Sequence, residues 1–317
     1  MHGRIDPNAR RPRVVIDCDP GIDDVVALAL ALRSPELDVA AVVTTYGNAA
    51  LADTTRNARH LLDLVGAPTI PVIPGSDKPL ERAQSFAADA HGPRGVGYAS
   101  VPEASPCQPQ PLALLELLDR TAAPVVLVTL GPLTDLAHAL TEDADLVRSR
   151  VIRHLGMFGS LEQRGDTGRL ADFNAWCDPE ALAIVLAGAL PVTMVGLDVT
   201  RRMHLTRTEV GRVSSGATDL DRWLGAALRH YLEFHHGQGR RDTCVINDVL
   251  PIGQLIEPRL LQMERRRLVV DLDGGERRGH TRVDGGGWDT AVATDVDIGA
   301  MRTLLGRVFT GPWSDTR

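Results

Sequence analysis

Short apolar segments alternate along the chain with longer segments that mix apolar and polar residues. The short segments predict buried strands, and the longer ones predict helices. The predicted strands cover 13–16, 37–45, 70–73, 125–129, 152–157 and 192–195, and the predicted helices cover 25–32, 51–65, 112–120, 133–140 and 179–187. Strands that alternate with helices form right-handed βαβ units. The pattern therefore predicts the α/β class, with an open, mostly parallel sheet flanked by helices.

The last third of the chain has a different pattern. Residues 206–255 are interpreted as mostly helical, and a further helix lies near the end of the chain. Between them, three segments predict a small antiparallel appendage, at 267–272, 281–283 and 290–293. No internal repeat and no interdomain linker is visible. We therefore expect a disordered N-terminal tail over 1–12 and a single domain over 13–317.

A glycine- and proline-rich stretch extends from about Gly75 to Pro111. Connections inside compact domains are usually only a few residues long. Because this stretch is far longer than a simple connector, we expect it to carry function or mobility.

Composition and charge narrow the classes of function. The chain has 317 residues, of which 44% are hydrophobic, and a formal net charge of −7. This is enough apolar material for one large α/β domain. A negative net charge argues against a nucleic-acid polymer or an anionic membrane as partner, because binding to either requires clustered Lys and Arg.

The cysteines and the N-terminus bear on the compartment. Four scattered cysteines form no CxxC pair and no zinc spacing, so we expect reduced thiols in the core. The N-terminal residues are polar and lack the apolar stretch of a signal peptide. No segment approaches the ~20 apolar residues that span a bilayer. These features predict a soluble, cytoplasmic protein.

Four carboxylates follow the first predicted strand, namely Asp17, Asp19, Asp23 and Asp24. They would repel one another strongly without a neutralising cation. Ligands bind at this end of the strands in open α/β sheets, and Ca²⁺ prefers carboxylate oxygens. A metal site is therefore one interpretation. A solvated turn, with Asp23 and Asp24 at a helix N-terminus, is the other.

A set of ordered motifs resembles the inosine–uridine-preferring nucleoside hydrolase family. The first is VVIDCDPGIDDVVALAL at Val14–Leu30. The others are TTYGN at 44–48, GSDKPL at 75–80, HGPRGVG at 91–97, TLGPLTD at 129–135, DFNAWCDPEA at 172–181, LDVT at 197–200 and the pair Asn247-Asp248. Together they cover nearly the whole chain. The resemblance implies a nucleoside hydrolase-like fold and an enzyme that cleaves the N-glycosidic bond of ribonucleosides to ribose and free base.

The resemblance also implies the catalytic and metal-binding residues. Asp19 would deprotonate a water positioned by Ca²⁺, and Asp17 would support it. The implied metal ligands are Asp19, Asp24, the backbone carbonyl of Leu130, and Asp248. Nearby carboxylates would stabilise the oxocarbenium-like sugar of the transition state.

The substrate contacts follow from the same resemblance. Asp23 would hold the ribose 2′-hydroxyl, and Asp248 would hold the 3′-hydroxyl. The remaining implied contacts are Asn48, Met157, Asp166, Asp172, Phe173 and Asn174. Fixing both hydroxyls would select ribose over deoxyribose.

Three positions depart from the common pattern of the family. Asn247 stands where base-protonating members often have histidine, and an amide is no comparable acid near neutral pH. Asp172 stands where glutamate usually contacts the 5′-hydroxyl, and Asp166 stands where asparagine contacts the same end of the sugar. We therefore expect an altered substrate scope at the 5′ position, including 5′-modified nucleosides.

Other groups would then have to activate the leaving base. His91, within the motif at 91–97, is the first candidate for a catalytic role beside Asn247, and His235 and His236 are further candidates. A structural or exposed histidine is the alternative for each of them. The pair Arg201-Arg202 is interpreted as either a phosphate contact or a solvated surface pair.

Two other functions remain open from the sequence. One is a calcium-dependent nucleoside-binding protein with little or no turnover, which Asn247 favours and Asp19 argues against. The other is a phosphatase with an aspartyl nucleophile, for which no matching lysine or threonine motif is found downstream. The family resemblance also implies a homodimer or a homotetramer.

Overall fold

The computed structural model describes residues 11–103, 107–163, 165, 170–240 and 242–309. Asp166 and most of the predicted N-terminal tail lie outside these residues. Two sheets are present in the described part of the chain. Their strands are β1 (Arg13–Cys18), β2 (Asp38–Thr44), β3 (Val72–Pro74), β4 (Val125–Thr129), β5 (Val151–Gly156), β6 (Val192–Met194), β7 (His204–Thr206), β8 (Thr243–Val245), β9 (Leu261–Val270), β10 (Thr281–Val283) and β11 (Trp288–Val296).

Helices cover both faces of the larger sheet. They are α1 (Ile22–Leu32), α2 (Leu51–Val65), α3 (Ala88–His91), α4 (Ala113–Arg120), α5 (Thr134–Arg150), α6 (Phe173–Cys177), α7 (Pro179–Ala187), α8 (Leu197–Thr200), α9 (Arg207–Ser214), α10 (Asp219–Gly237), α11 (Val249–Ile256) and α12 (Ile298–Leu305). A short 3-10 helix spans Gly275–Arg277. Within the described residues, no helix is both long and apolar enough to cross a membrane.

The larger sheet has nine strands in the order β10-β9-β11-β6-β5-β4-β1-β2-β3. Strands β1 to β6 are parallel to their neighbours, and β11 is parallel to β6. Strand β9 is antiparallel to both β10 and β11. The predicted α/β class with a mostly parallel sheet and an antiparallel appendage is confirmed, and β11 joins that appendage to the main sheet.

Strand β1 positions the functional part of the molecule. Alternate residues of a strand face opposite sides of a sheet. Val14 and Ile16 accordingly pack into one buried apolar cluster, and Val15 packs into another. The chain places β2 and β3 on one side of β1, and β4, β5 and β6 on the other. Residues just after β1 therefore lie where the strand order reverses, the usual ligand-binding crevice of such sheets.

Some elements differ from the sequence expectation. Helix α5 continues to Arg150 rather than ending at Leu140, with non-helical backbone angles at Asp143. The small antiparallel sheet of β7 and β8 was not predicted. Both strands have only three residues, too few to show a periodic pattern. Strand β9 begins six residues before the predicted segment. Its first half was not predicted because several of its side chains are charged and exposed.

Candidate active site

A cavity of about 610 Å³ opens at the carboxyl end of the parallel strands. Ten of the predicted site residues line it, namely Asp23, Asn48, His91, Leu130, Met157, Asp172, Phe173, Asn174, Asn247 and Asp248. Asp17, Asp19 and Asp24 are almost completely buried next to this lining. The long glycine- and proline-rich stretch contributes Phe86, Asp89 and His91 to the wall.

Three carboxylates converge at the base of the cavity. Asp23, Asp24 and Asp248 each offer an oxygen atom within 4.8 Å of the others. Burial, and then the charge of Asp23, raises the pKa of Asp24 to about 7. Burial, followed by the charges of Asp23 and Asp24, likewise raises the pKa of Asp248. Such a cluster is poorly compatible with full ionisation unless a cation neutralises it.

The start of α1 fixes the direction of Asp24. Its Oδ2 accepts hydrogen bonds from the backbone N–H of Gly21 at 3.0 Å and from Nδ2 of Asn48 at 2.8 Å. Its other oxygen, Oδ1, has no hydrogen-bond partner among the described residues. The carboxylate is therefore held at one oxygen and leaves the second for a ligand.

Asp19 is held in the same manner. Its Oδ2 accepts a hydrogen bond from the backbone N–H of Asn48 at 2.7 Å, whereas its Oδ1 has no partner in the described part of the chain. Burial, and then the charge of Asp24, raises its pKa. Asp19 is not one of the three carboxylates that converge at the base of the cavity. Its assignment as a metal ligand stays a prediction.

Gly47 makes the position of Asp19 possible. A Cβ atom on Gly47 would lie 2.1 Å from Oδ2 of Asp19, and φ is +148° at this residue. We expect Gly47→Ala to displace the Asp19 carboxylate and to lower kcat strongly, in contrast to a glycine replacement that affects only the free energy of unfolding. Gly66→Ala is the matched control, because φ is +77° there but a Cβ would meet no atom within 4 Å.

The control variant should unfold more easily, by about 1 kcal/mol, and retain wild-type kcat. Steady-state kinetics and urea unfolding of both variants measure the two effects. Equal losses of kcat in the two variants would show that the backbone conformation, rather than contact with Asp19, requires glycine at position 47.

Asp17 lies deeper, between β2 and β4 in the sheet. Neither of its carboxyl oxygens has a hydrogen-bond partner among the described residues. Burial, and then the charge of Asp135, raises its pKa, so the neutral carboxyl is favoured. Its backbone carbonyl accepts a hydrogen bond from the N–H of Leu130. Asp17 is thus placed to support the loop beneath the cavity.

Asn174 connects the ends of β4 and β5. Its Nδ2 donates to the carbonyl oxygens of Leu130 at 2.5 Å and Met157 at 2.9 Å. Asp172 caps the N-terminus of α6, and its two oxygens accept backbone hydrogen bonds from Ala175 and Gly159. Asp172 therefore has a structural role in addition to its place in the cavity wall.

Asp23 and Asn247 are hydrogen-bonded to each other although they lie far apart in the sequence. Both the backbone N–H and the Nδ2 of Asn247 donate to Oδ2 of Asp23, at 3.2 and 3.3 Å. Oγ1 of Thr200 donates to Oδ1 of Asn247 at 2.9 Å. Both ends of the Asn247 side chain are therefore occupied.

Helix α10 supplies an aromatic wall, of which only His235 was named as a candidate from the sequence. Tyr231, Phe234 and His235 line the cavity, and the Tyr231 hydroxyl donates to Oδ2 of Asp23 at 3.4 Å. Their i, i+3, i+4 spacing places them on one helix face, and this spacing is the only feature of the sequence that groups them. It does not distinguish a cavity wall from a core. His236, by contrast, is exposed.

The two candidate arginines differ. Arg201 lines the cavity, whereas Arg202 forms an ion pair with Asp295 at the surface. Arg240 and Gln238, which follow α10, also line the cavity and were not predicted. The cavity therefore has carboxylates at its floor, an aromatic wall and basic side chains.

The family model of the inosine-uridine preferring nucleoside hydrolases matches residues 14–303. The chain belongs to this family. It is an N-glycosyl hydrolase that acts on nucleosides, as the sequence resemblance predicted.

Relatives of known name support this assignment. The nucleoside hydrolase is 33% identical over 302 residues to the pyrimidine-specific ribonucleoside hydrolase RihA of Salmonella gallinarum, covering 92% of this chain and 96% of the relative. It is 34% identical, with the same coverage, to RihA of Citrobacter koseri.

Solved structures agree. The fold matches a plant nucleoside hydrolase with a TM-score of 0.87 at 28% identity, covering 95% of this chain and all of the other. It also matches the purine-preferring ribonucleoside hydrolase of Gardnerella vaginalis with a TM-score of 0.85 at 26% identity, covering 93% and 98% of the two chains.

Proposed function

We propose that this nucleoside hydrolase cleaves ribonucleosides to ribose and free base, with bound Ca²⁺ and with Asp19 as the general base. The observation that carries the proposal is the pair of buried carboxylate oxygens, Oδ1 of Asp19 and Oδ1 of Asp24. Each lacks a hydrogen-bond partner among the described residues. Buried polar atoms without partners are costly, so they indicate a ligand.

The residues present fit a calcium ion. Asp23, Asp24 and Asp248 gather carboxylate oxygens within 4.8 Å. Hard oxygen donors in an irregular arrangement suit Ca²⁺ better than a transition metal. When bound, the ion would position a water and the sugar diol. The Leu130 carbonyl, which already accepts one hydrogen bond from Asn174, retains a second lone pair for a further contact.

Asp19 is suited to accept a proton. The hydrogen bond from the backbone N–H of Asn48 holds Oδ2 of Asp19 in place. Oδ1 accepts no hydrogen bond from the described residues and is therefore left to accept the proton. A raised pKa makes its carboxylate a stronger base than an exposed aspartate. The positive charge that develops on the sugar ring is stabilised by the surrounding carboxylates.

The sugar specificity follows from the same groups. Asp23 and Asp248 are each only 4% exposed and would hold the 2′- and 3′-hydroxyls. A substrate without the 2′-hydroxyl would remove this partner from the buried carboxylate of Asp23. We therefore expect kcat/KM for a 2′-deoxyribonucleoside to be lower by at least about 10²-fold.

Reducing-sugar release from inosine, adenosine, guanosine, uridine and cytidine, each with its 2′-deoxy counterpart, measures this preference. The same panel identifies the preferred base. Equal rates for ribo- and 2′-deoxyribonucleosides would contradict the proposed role of Asp23. The matched control is the 3′-deoxy series, which should lose rate as well if the diol is held at both positions.

The 5′ position is a second point of the proposal. Because both oxygens of Asp172 accept backbone hydrogen bonds, its short side chain is less available to a 5′-hydroxyl than a glutamate would be. Arg201 lines the same cavity. We include 5′-modified nucleosides among the substrates, and adding 5′-methylthio and 5′-phosphate analogues to the panel tests this. Ordinary rates on plain nucleosides with none on the analogues would refute it.

Assembly and compartment complete the proposal. The resemblance implies a homodimer or homotetramer built from one catalytic domain over 13–317, and light scattering of the purified protein measures the mass. We place the enzyme in the cytoplasm. All four cysteines are free thiols in the structure, as is common for proteins of reducing compartments.

A further inference from the structure

The departing base needs a proton, and Asn247 does not provide one. Its Nδ2 and its backbone N–H both donate to Asp23, and its Oδ1 accepts from Thr200. An amide does not release a proton near neutral pH. The geometry therefore assigns Asn247 to the orientation of the Asp23 carboxylate, and the donor must lie elsewhere in the cavity wall.

His91 is unsuited to act as a cationic acid. Its Nδ1 accepts a hydrogen bond from the backbone N–H of Ile22 at 3.0 Å, so the neutral ring carries its proton on Nε2. Protonation of Nδ1 would break this bond. Burial, and then the charges of His235 and His230, lowers the pKa of His91 to about 3. It is a neutral ring at physiological pH.

His235 has the opposite arrangement. It lines the cavity, is 8% exposed, and its Nδ1 lies 2.9 Å from the carbonyl oxygen of Tyr231. A carbonyl only accepts, so Nδ1 carries a proton and donates it to Tyr231. Nε2 can then gain and lose a second proton without breaking that bond. The ring lies in the last turn of α10, where the helix dipole favours a cation.

The surroundings of His235 fit a departing base. Its ring contacts Tyr231 at 4.5 Å and Phe234 at 5.3 Å between centroids, and His91 lies 5.0 Å from Tyr231. These rings form a wall suited to a flat heterocycle. Charged groups also face this wall. The carboxylate of Asp23 interacts electrostatically with His235, and the guanidinium groups of Arg201 and Arg240 line the same cavity.

We propose that His235 donates the proton to the leaving base, an assignment that rests on the proposed hydrolysis of ribonucleosides. As the C1′–N bond breaks, its electron pair stays with the base, and the proton on Nε2 of His235 moves to a base nitrogen. The oxygen of water bonds to C1′, and the proton of that water passes to Asp19. Asp19 then releases its proton to solvent, and solvent returns a proton to His235.

The test compares two leaving groups in three proteins. The proteins are the wild type, His235→Gln and His236→Gln, the last being an exposed histidine on the same helix. The substrates are the best nucleoside of the panel and p-nitrophenyl β-D-ribofuranoside, whose phenolate leaves without protonation. We expect His235→Gln to lower kcat on the nucleoside by about 10²-fold or more and to leave the phenyl riboside near the wild-type rate.

Each outcome is decisive. His236→Gln should match the wild type on both substrates. Equal losses on both substrates in His235→Gln would reduce His235 to a structural role and overturn the assignment, as would no loss on either. A wild-type protein that cleaves the phenyl riboside but no nucleoside also overturns it. Inactivity of the wild type on both substrates would instead overturn the proposed function, and the His235 assignment with it.

Discussion

Asp19→Asn is expected to lower kcat by about 10³-fold or more, within or above the usual contribution of a general base. Asparagine retains the size of aspartate and an oxygen that accepts the hydrogen bond from the Asn48 N–H. Its amide nitrogen cannot take a proton from water. Substrate binding should therefore remain when turnover is lost. Reducing-sugar release gives kcat, and calorimetry gives the dissociation constant of the substrate.

Asp63→Asn is the matched control for this change. Asp63 is an exposed residue of α2, so the same loss of one charge should leave kcat unaltered. If Asp19→Asn kept most of the wild-type kcat, the base would have to be another group. If it lost substrate binding together with turnover, Asp19 would act through the structure of the site instead.

Calcium is expected to stabilise the protein strongly at pH 8 and only weakly at pH 5. The pKa of Asp24 in the folded protein without metal is about 7, above the usual value near 4. Between these values the folded state holds more protons than the unfolded chain. The metal-free protein therefore loses stability as pH rises from about 4 to about 7. Below about pH 7 a proton occupies the Asp24 carboxyl of the metal-free protein and competes with Ca²⁺, so calcium binds only weakly at pH 5.

Thermal unfolding with calcium or with a chelator, at both pH values, measures this effect. At a free calcium concentration ~1,000 times Kd, binding adds about 4 kcal/mol. In a chain of 317 residues that corresponds to a shift in Tm of roughly 6 °C. The chelator should also abolish turnover. An equal shift at pH 5 and pH 8 would contradict the proton competition.

The variant Asp24→Asn separates the contribution of Asp24 from that of the other carboxylates in the cluster. The variant removes one charge from the cluster, so its metal-free form should be more stable than the wild type at pH 8. Its calcium shift should be small. The residual pH dependence then comes from Asp19, Asp23 and Asp248, whose pKa values are raised by burial as well. Asp63→Asn should retain the full calcium shift of the wild type.

Much of the fold was predictable because the parallel strands are buried on both faces. Val125–Thr129 is buried throughout and was predicted with the bounds that the structure has. Helix α2 was likewise predicted from Leu51 to Val65, and Gly66 ends it with a left-handed conformation. Such segments carry their own signals. Strand β9, most of whose charged side chains are exposed, and the three-residue strands β7 and β8 depend on pairing with distant segments, which no local pattern reveals.

The residues of the site likewise include some that the sequence indicated and some that it did not. The acidic residues at the end of β1 lie close together in the sequence, so their repulsion and their position at a strand end made a cation site one of two interpretations. The aromatic wall was not predicted, because Tyr231 and Phe234 resemble ordinary core residues of an amphipathic helix. Only the packing of α10 beside α1 and α3 brings them to Asp23 and His91.

The contact between Asp23 and Asn247 crosses 224 positions of sequence. During synthesis on a ribosome, the N-terminal carboxylates emerge long before Asp248 exists to join them. The proposed cation site would therefore be completed only when nearly the whole chain has been made and its last third has packed against α1. Calcium capture would thus mark the end of folding, and a prematurely terminated chain would lack this stabilisation and stay exposed to proteolysis.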